Sequence, residues 1–135
     1  MKKTILFAAL LVSQISWACR GGNQVSIDDV NGKQIGVIEK GEMTNFLPLV
    51  DKGFYIGQVD ICNASKSKCN RMQLFGKARK QLVLNRATLD RKSVILFEML
   101  DAQYKVIGHY EIAADSLFRV ARSGGCGGSL NPVKN

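Results

Sequence analysis

The sequence predicts an all-β protein, an antiparallel β-sandwich of about seven to eight strands that is stapled by disulfides. Apolar and polar residues alternate in short runs, which is the pattern of half-buried strands. These runs are separated by Gly, Asp, Asn or clustered charges, and the chain contains only two prolines. Four cysteines could supply two crosslinks.

The first two strands are predicted as a hairpin. The segment "QVSIDDVNGKQIGVIE", residues 24–39, places Asn31-Gly32 between two alternating runs. This dipeptide is the strongest short hairpin signal because both residues tolerate positive φ.

Five later runs are predicted as strands, at residues 53–62, 69–76, 80–86, 93–100 and 104–112. The turn-forming "DAQ" joins the last two, and "AADSLF" after them is either one helical turn or a loop. The competing interpretation is a helix over 77–100, because Leu, Ala, Lys and Arg are good helix formers. Short apolar runs discriminate poorly between the two, and we favour strands.

Residues 1–18 have the pattern of a secretory signal peptide. Two lysines precede a short apolar stretch, and Ser16-Trp17-Ala18 ends on a small residue. We therefore expect residues 19–135 to form a single exported domain, periplasmic or secreted, with a flexible glycine-rich C-terminal tail. The alternative is a lipid anchor on Cys19, but Ser16 and Trp17 replace the large aliphatic and small residues of a lipoprotein signal.

Export leaves the protein basic. The net charge is +8, and it falls to +6 once the two lysines of the signal segment are removed. A basic exported protein can bind anionic lipid, lipopolysaccharide, nucleic acid or acidic glycans by electrostatic attraction.

The four cysteines are predicted to form two disulfides, since an even count in an oxidising compartment is typical of crosslinks. Cys62 and Cys69 enclose the polar, turn-like "NASKSK", whereas Cys19 and Cys126 lie near the two ends beside glycines. Of the three possible connectivities we expect Cys62–Cys69 and Cys19–Cys126. A nucleophilic Cys126 remains an alternative, and it would need a base.

Two clusters of residues resemble a known family. Between residues 34 and 55, an N-L-P loop, an aspartate and an aromatic strand start are matched by Asn45, Leu47, Pro48, Asp51 and Tyr55. The end of the domain is matched by Asp101, Ile107, Gly108, Ile112 and Leu117. Over residues 34–118 the chain resembles the calcium- and phospholipid-binding domain of the protein kinase C conserved-region-two type. The resemblance implies an eight-stranded antiparallel sandwich with its functional loops at one end.

Calcium binding in that family needs several carboxylates, because Ca²⁺ takes about six to eight oxygen ligands. Asp51 and Asp101 are the only candidate metal ligands that the resemblance supplies. Ala102 and Gln103 stand where the second acid of the later loop would be. We therefore expect a metal-independent version without a cofactor.

A basic block is the leading candidate for binding. No acid occurs between Asp60 and Asp90, and seven cations fall inside this interval: Lys66, Lys68, Arg71, Lys77, Arg79, Lys80 and Arg86. On strands, Lys66 with Lys68 and Lys77 with Arg79 would share a face. We expect these side chains to contact an anionic membrane surface or another polyanion. The alternative is a solvated face that protects an edge strand from aggregation.

Nucleic acid is not an expected partner, because stacking platforms need aromatics among the cations and only Phe75 lies within the run.

An enzyme is not expected either. His109 is the single histidine, and neither a G-x-S-x-G nor a Cys-x-x-Cys motif is present. The prediction is an exported, non-enzymatic binding module. The alternative is a secreted protein-binding module, an enzyme inhibitor or envelope-assembly partner, using the "CNASKSKC" loop.

Overall fold

The computed structural model describes residues 23–74, 76–119 and 128–134. These residues form nine strands: β1 (Gln24–Asp28), β2 (Gln34–Glu39), β3 (Met43–Pro48), β4 (Tyr55–Cys62), β5 (Cys69–Met72), β6 (Leu82–Asn85), β7 (Val94–Leu100), β8 (Val106–Ala113) and β9 (Ser129–Leu130). Four short 3₁₀ helices connect them: η1 (Val50–Lys52), η2 (Gly76–Arg79), η3 (Arg86–Thr88) and η4 (Ala114–Phe118). None of the helices in these ranges has the length and apolar character to cross a membrane.

The strands form two sheets, one of five strands in the order β6-β3-β2-β1-β9 and one of four in the order β5-β4-β7-β8. Neighbouring strands are antiparallel except β1 and β9, which are parallel. The predicted all-β antiparallel sandwich is confirmed.

The core lies between the sheets, and aromatic rings form its centre. Phe46 on β3 meets Phe97 on β7 edge to face, with ring centroids 5.3 Å apart. Phe97 in turn stacks on Tyr110 of β8 at 5.2 Å. All three rings are buried, so one hydrophobic core serves both sheets.

The strands that alternation predicts are confirmed, including those in the segment for which a helix was the alternative. In β6 Leu82 and Leu84 are buried while Val83 is exposed. In β7 Ile95, Phe97 and Met99 are buried in alternation. This period of two suits a sheet with one face on the core, and a helix would scatter the same side chains around its axis.

The sequence did not predict two of the strands, β3 and β9. Residues that the resemblance places in a loop, Asn45, Leu47 and Pro48, lie in β3, which runs between β2 and β6. Pro48 is tolerated because it is the last residue of the strand. Ser129–Leu130, in the segment expected to be a tail, forms β9 beside β1. The backbone N–H of Val133 then donates to the carbonyl of His109 at 2.7 Å, so this segment touches both sheets.

The first hairpin is confirmed, although its turn is longer than a two-residue Asn-Gly turn. It spans Asp29 to Lys33, and Gly32 adopts positive φ, +80°, whereas Asn31 does not. The Asp29 carboxylate accepts from the backbone N–H groups of Asn31 and Lys33, both at 2.9 Å. An aspartate side chain therefore shapes this turn together with the glycine.

Candidate functional site

The predicted cations lie on or beside two edge strands, β5 of one sheet and β6 of the other. Lys66 and Lys68 are in the turn before β5, and Arg71 is on β5. Lys77 and Arg79 are in η2, with Lys80 directly after it, and Arg86 begins η3. Because η2 connects β5 to β6, its cations and Lys80 lie between these two edge strands.

The expectation that alternate cations share a strand face is wrong. Lys66 and Lys68 occupy a turn closed by a disulfide, and Lys77 and Arg79 occupy a 3₁₀ helix. Neither pair is in a strand, so a period of two does not set their directions.

The turn between β4 and β5 is a closed, hydrogen-bonded loop. The predicted Cys62–Cys69 disulfide is confirmed. Inside it, the Asn63 side-chain oxygen accepts from the backbone N–H groups of Ser67 at 2.9 Å and Lys68 at 3.2 Å. Residues 63–70 are all exposed. The other predicted pair, Cys19–Cys126, lies outside the described residues.

Two of the cations are compensated by acids on the outer face of the four-stranded sheet. Lys66 forms an ion pair with Glu111 of β8, and the Arg71 Nε lies 3.2 Å from the Asp60 carboxylate. These residues line a groove of about 410 Å³. The face carries charges of both signs and is a poor candidate for binding a polyanion.

The same groove contains His109, the only histidine of the chain. Its Nδ1 lies 3.6 Å from the Glu98 carboxylate, too far for a good hydrogen bond. The other Glu98 oxygen accepts from the backbone N–H of Gln58 at 3.0 Å. Glu98 therefore satisfies a backbone N–H of β4 at the point where the pairing of β4 with β7 is irregular. The register shifts there, between Ile56 and Val59.

A second groove combines cations with aromatic rings. Its volume is about 670 Å³, and we call it the tyrosine groove; its lining residues are Tyr55, Gly76, Lys77, Arg79, Lys80 and Tyr104. The two tyrosine rings lie 5.0 Å apart between centroids and are tilted by 34°. The Arg79 guanidinium sits over Tyr104 at 5.8 Å from the ring centroid. An arginine at this distance gains a modest cation–π attraction.

No acidic side chain is among the residues that line the tyrosine groove. Within the described ranges, none of Lys77, Arg79 and Lys80 forms an ion pair. The Tyr104 side of the groove is open, since Tyr104 is 57% exposed. The groove therefore offers three uncompensated positive charges next to accessible aromatic surface.

Sequence reasoning missed the two tyrosines. Tyr55 begins β4 and Tyr104 lies in the turn between β7 and β8, so both are distant in sequence from η2. The resemblance marks Tyr55 only as an aromatic strand start, and the aromatic residue inside the basic run is Phe75, which lies outside the described residues. The positions of Tyr55 and Tyr104 follow from pairing of β4 with β7, where Tyr55 is opposite Leu100.

Arg86 belongs to a different cluster. Its guanidinium lies over the Phe118 ring at 5.4 Å, and that of Arg91 lies over the same ring at 4.8 Å. Arg91 and Arg119 also bind the Asp115 carboxylate at 2.9 and 2.6 Å. Hydrogen bonds from these two arginines hold the pKa of Asp115 below its ordinary value.

The two candidate metal ligands do not form a carboxylate cluster. Asp51 is exposed in η1. The Asp101 side chain accepts from the backbone N–H groups of Gln103 at 2.9 Å and Lys105 at 3.0 Å. Across the described part of the chain, no three His, Cys, Asp or Glu side chains converge to hold a metal ion. Asp101 instead shapes its turn.

Comparison with protein-family models, with curated proteins and with solved structures finds no match to this chain.

Proposed function

We propose that this protein is an exported, non-enzymatic binding module that contacts an anionic surface, phospholipid or lipopolysaccharide. The contact is made by the predicted basic side chains, with Lys77, Arg79 and Lys80 at its centre. The observation that carries the proposal is the tyrosine groove, where these three cations line a concave surface without an acid.

Export is supported by two features. The first 18 residues follow the signal-peptide pattern of lysines, apolar residues and a small-residue end. The Cys62–Cys69 disulfide is typical of proteins that leave the reducing cytosol.

The electrostatic contribution differs among the cations. Attraction to an anionic membrane supplies about 1 kcal/mol for each basic side chain near the surface. Lys66 and Arg71 contribute less because Glu111 and Asp60 already compensate them. Most of the attraction is therefore assigned to η2 and Lys80.

Co-sedimentation with vesicles tests the proposal. We expect binding to vesicles with anionic headgroups, and to lipopolysaccharide, that weakens as salt is raised. The triple variant Lys77→Ala, Arg79→Ala, Lys80→Ala should lose about 150-fold in affinity at low salt, from roughly 1 kcal/mol per charge.

The matched control removes three exposed cations elsewhere, through Lys33→Ala, Lys92→Ala and Lys134→Ala. It lowers the net charge equally but leaves the groove intact, so we expect a loss of only about threefold from long-range field effects. No preference for anionic over zwitterionic vesicles at low salt would sink the proposal, as would equal losses in the two variants.

A second candidate function is supported by the disulfide-closed loop. Residues 63–70 are exposed, and the Asn63 hydrogen bonds hold their backbone, so the loop is preorganised for insertion into the cleft of a partner protein. An inhibitor of a secreted enzyme or an envelope-assembly partner would use it in this way.

Replacing residues 64–68 by glycine and serine tests this second function. A protein partner from envelope extract should be captured by the native chain and lost with the altered loop, because only this function depends on the loop's shape. Anionic vesicle binding should fall by only about fivefold, the contribution of Lys68, because Lys66 is already compensated by Glu111. Capture of the same partner by both chains would exclude the loop as the contact.

A further inference from the structure

Two turns of the molecule have the same design. They span Asp29–Lys33 and Asp101–Lys105. In each, the aspartate side chain accepts from the backbone N–H groups two and four residues later. In each, the aspartate N–H donates to the lysine carbonyl, and the N–H three residues after the aspartate donates back to the aspartate carbonyl.

The two turns differ at the position that needs positive φ. Gly32 fills it in the first turn with φ of +80°, and Tyr104 fills it in the second with φ of +61°. Glycine adopts this region without strain, whereas a bulky L-residue is strained there. The first turn shows that the design does not require a side chain at this position. Non-glycine residues held in such conformations are concentrated at active sites and ligand-binding segments.

The tyrosine side chain has a defined place. The Tyr104 ring packs on Tyr55 at 5.0 Å and remains largely exposed, next to the Arg79 guanidinium. The turn that carries it is held close to η1, since a Cβ added to Gly53 would stand 3.1 Å from the Ala102 Cβ. Backbone strain and close packing together fix one aromatic surface beside the cations of η2.

We propose that the tyrosine groove is a specific binding site for a phosphorylated sugar ring. This inference rests on the proposed function and names the headgroup chemistry that the groove would recognise. Lys77, Arg79 and Lys80 lie within four residues of sequence, so their charges can converge on one phosphate. An arginine fork binds phosphate oxygens in pairs, and lysine adds point charges.

The tyrosines supply the rest of the site. A sugar ring has an apolar C–H face that packs on an aromatic ring, and hydroxyl groups that pair with phenol oxygens. Sites of this kind combine aromatic walls with a few convergent polar groups. The groove volume of about 670 Å³ is within the range of small-molecule sites.

A single-stranded nucleic acid fits the arrangement less well. Such strands are bound in grooves that track the backbone, with successive aromatic residues that stack successive bases. Here the groove holds one pair of rings already in contact with each other and one compact group of cations. The geometry suits one ring with one phosphate.

Titration of the full chain with glucose 1-phosphate, followed by NMR chemical shifts, tests the inference. Glucose and inorganic phosphate are the comparison probes. We expect glucose 1-phosphate to bind at least about tenfold more tightly than either, because it alone engages both rings and cations. Comparison of lipopolysaccharide with glucose 1-phosphate distinguishes a lipid-linked headgroup from a soluble sugar phosphate, and dephosphorylated lipopolysaccharide should bind more weakly because it lacks the phosphate.

Three variants assign the binding to the groove. Tyr104→Gly places a glycine at the positive-φ position, as Gly32 does in the first turn, so the variant should fold. Because it removes the aromatic ring, it should lose about tenfold or more in affinity for the sugar phosphate. Tyr104→Phe keeps the ring and loses only the hydrogen bond of the phenol, so it should lose about fivefold or less. Lys105→Ala, a charge change in the same turn but outside the groove lining, should also stay within about threefold.

Equal affinity for glucose 1-phosphate and inorganic phosphate would overturn the inference, as would unchanged affinity in Tyr104→Gly. So would Tyr104-dependent binding of oligothymidylate that is tighter than that of the sugar phosphate. If these results appear while salt-sensitive vesicle binding persists, the surface function stands and the specific site fails. If the sugar phosphate binds and vesicles do not, the surface function fails instead.

Discussion

Tyr110 links the two sheets by a side-chain polar contact. Its ring is buried against Phe97, and its hydroxyl donates to the Asp28 carbonyl of the opposite sheet at 2.6 Å. Burial, with the negative charges of Asp29 and Asp28 nearby, raises the pKa of Tyr110 to about 12. The folded state therefore holds the neutral phenol more strongly than the unfolded state does.

This pKa predicts a specific loss of stability at high pH. Below about pH 10 the phenol is neutral in both states, and its contribution is complete. Between pH 10 and 12 the unfolded chain loses the proton first, so the free energy of unfolding falls by on the order of 2 kcal/mol. Tyr110→Phe should lack this decline, and should lose about 1 kcal/mol at neutral pH because the Asp28 carbonyl loses its donor.

Urea unfolding of both chains at several values between pH 8 and about pH 12 measures the effect, since Tyr110 is the only difference between them. Lysine deprotonation affects both chains equally and cancels in the comparison. Parallel stability curves over this range would contradict the assignment.

At the candidate site, the sequence predicted the cations but not the aromatic residue beside them. The acid-free run identifies Lys77, Arg79 and Lys80 as neighbouring positive charges, because charge of one sign in a short segment stays together in any fold. It did not locate Tyr104, since nothing local distinguishes a tyrosine in a turn from an incidental one. The comparison with Gly32 becomes visible only once the backbone of both turns is known.

At the level of elements, the β4–β5 hairpin is held by three kinds of interaction. The disulfide closes it, Asn63 caps its backbone, and Lys66 reaches Glu111 on β8. β5 is an edge strand of four residues, so strand pairing alone holds it weakly. The crosslink is therefore important for this hairpin.

Replacing both cysteines, Cys62→Ala with Cys69→Ala, should lower the free energy of unfolding by about 2 kcal/mol, the value for closing a short loop. Urea unfolding without reductant measures the change. Ser65→Ala in the same loop is a control and should shift stability by less than about 0.5 kcal/mol, because Ser65 is exposed. A loss in the double variant no larger than that of the control would show that the Asn63 network suffices.

The elements also show why sequence patterns predicted most strands. β6 and β7 alternate buried and exposed side chains, and the first hairpin contains a turn glycine, so local chemistry identifies them. β3 was missed because Asn45 and Pro48 are typical of loops. Its alternation of buried Thr44, Phe46 and Pro48 is satisfied by neighbours on both sides, which only the sheet provides.

For the whole molecule, the distribution of charge follows from the sheet order. The outer face of the four-stranded sheet pairs its cations with acids, as Lys66 with Glu111 and Arg71 with Asp60. The cations of η2 lie at the junction of two edge strands and have no such partners within the described residues. A basic run in sequence is thereby divided into a compensated part and an uncompensated part.

The sequence by itself determined the fold class, most strands, the first hairpin and the Cys62–Cys69 crosslink, because each depends on periodicity or turn chemistry within a few residues. Only the tertiary structure decided which faces meet. Pairing of β4 with β7 and docking of η2 brought Tyr55 and Tyr104 beside Lys77, Arg79 and Lys80. Contacts between residues so distant in sequence depend on how the two sheets pack around one core, and no local sequence pattern encodes that packing.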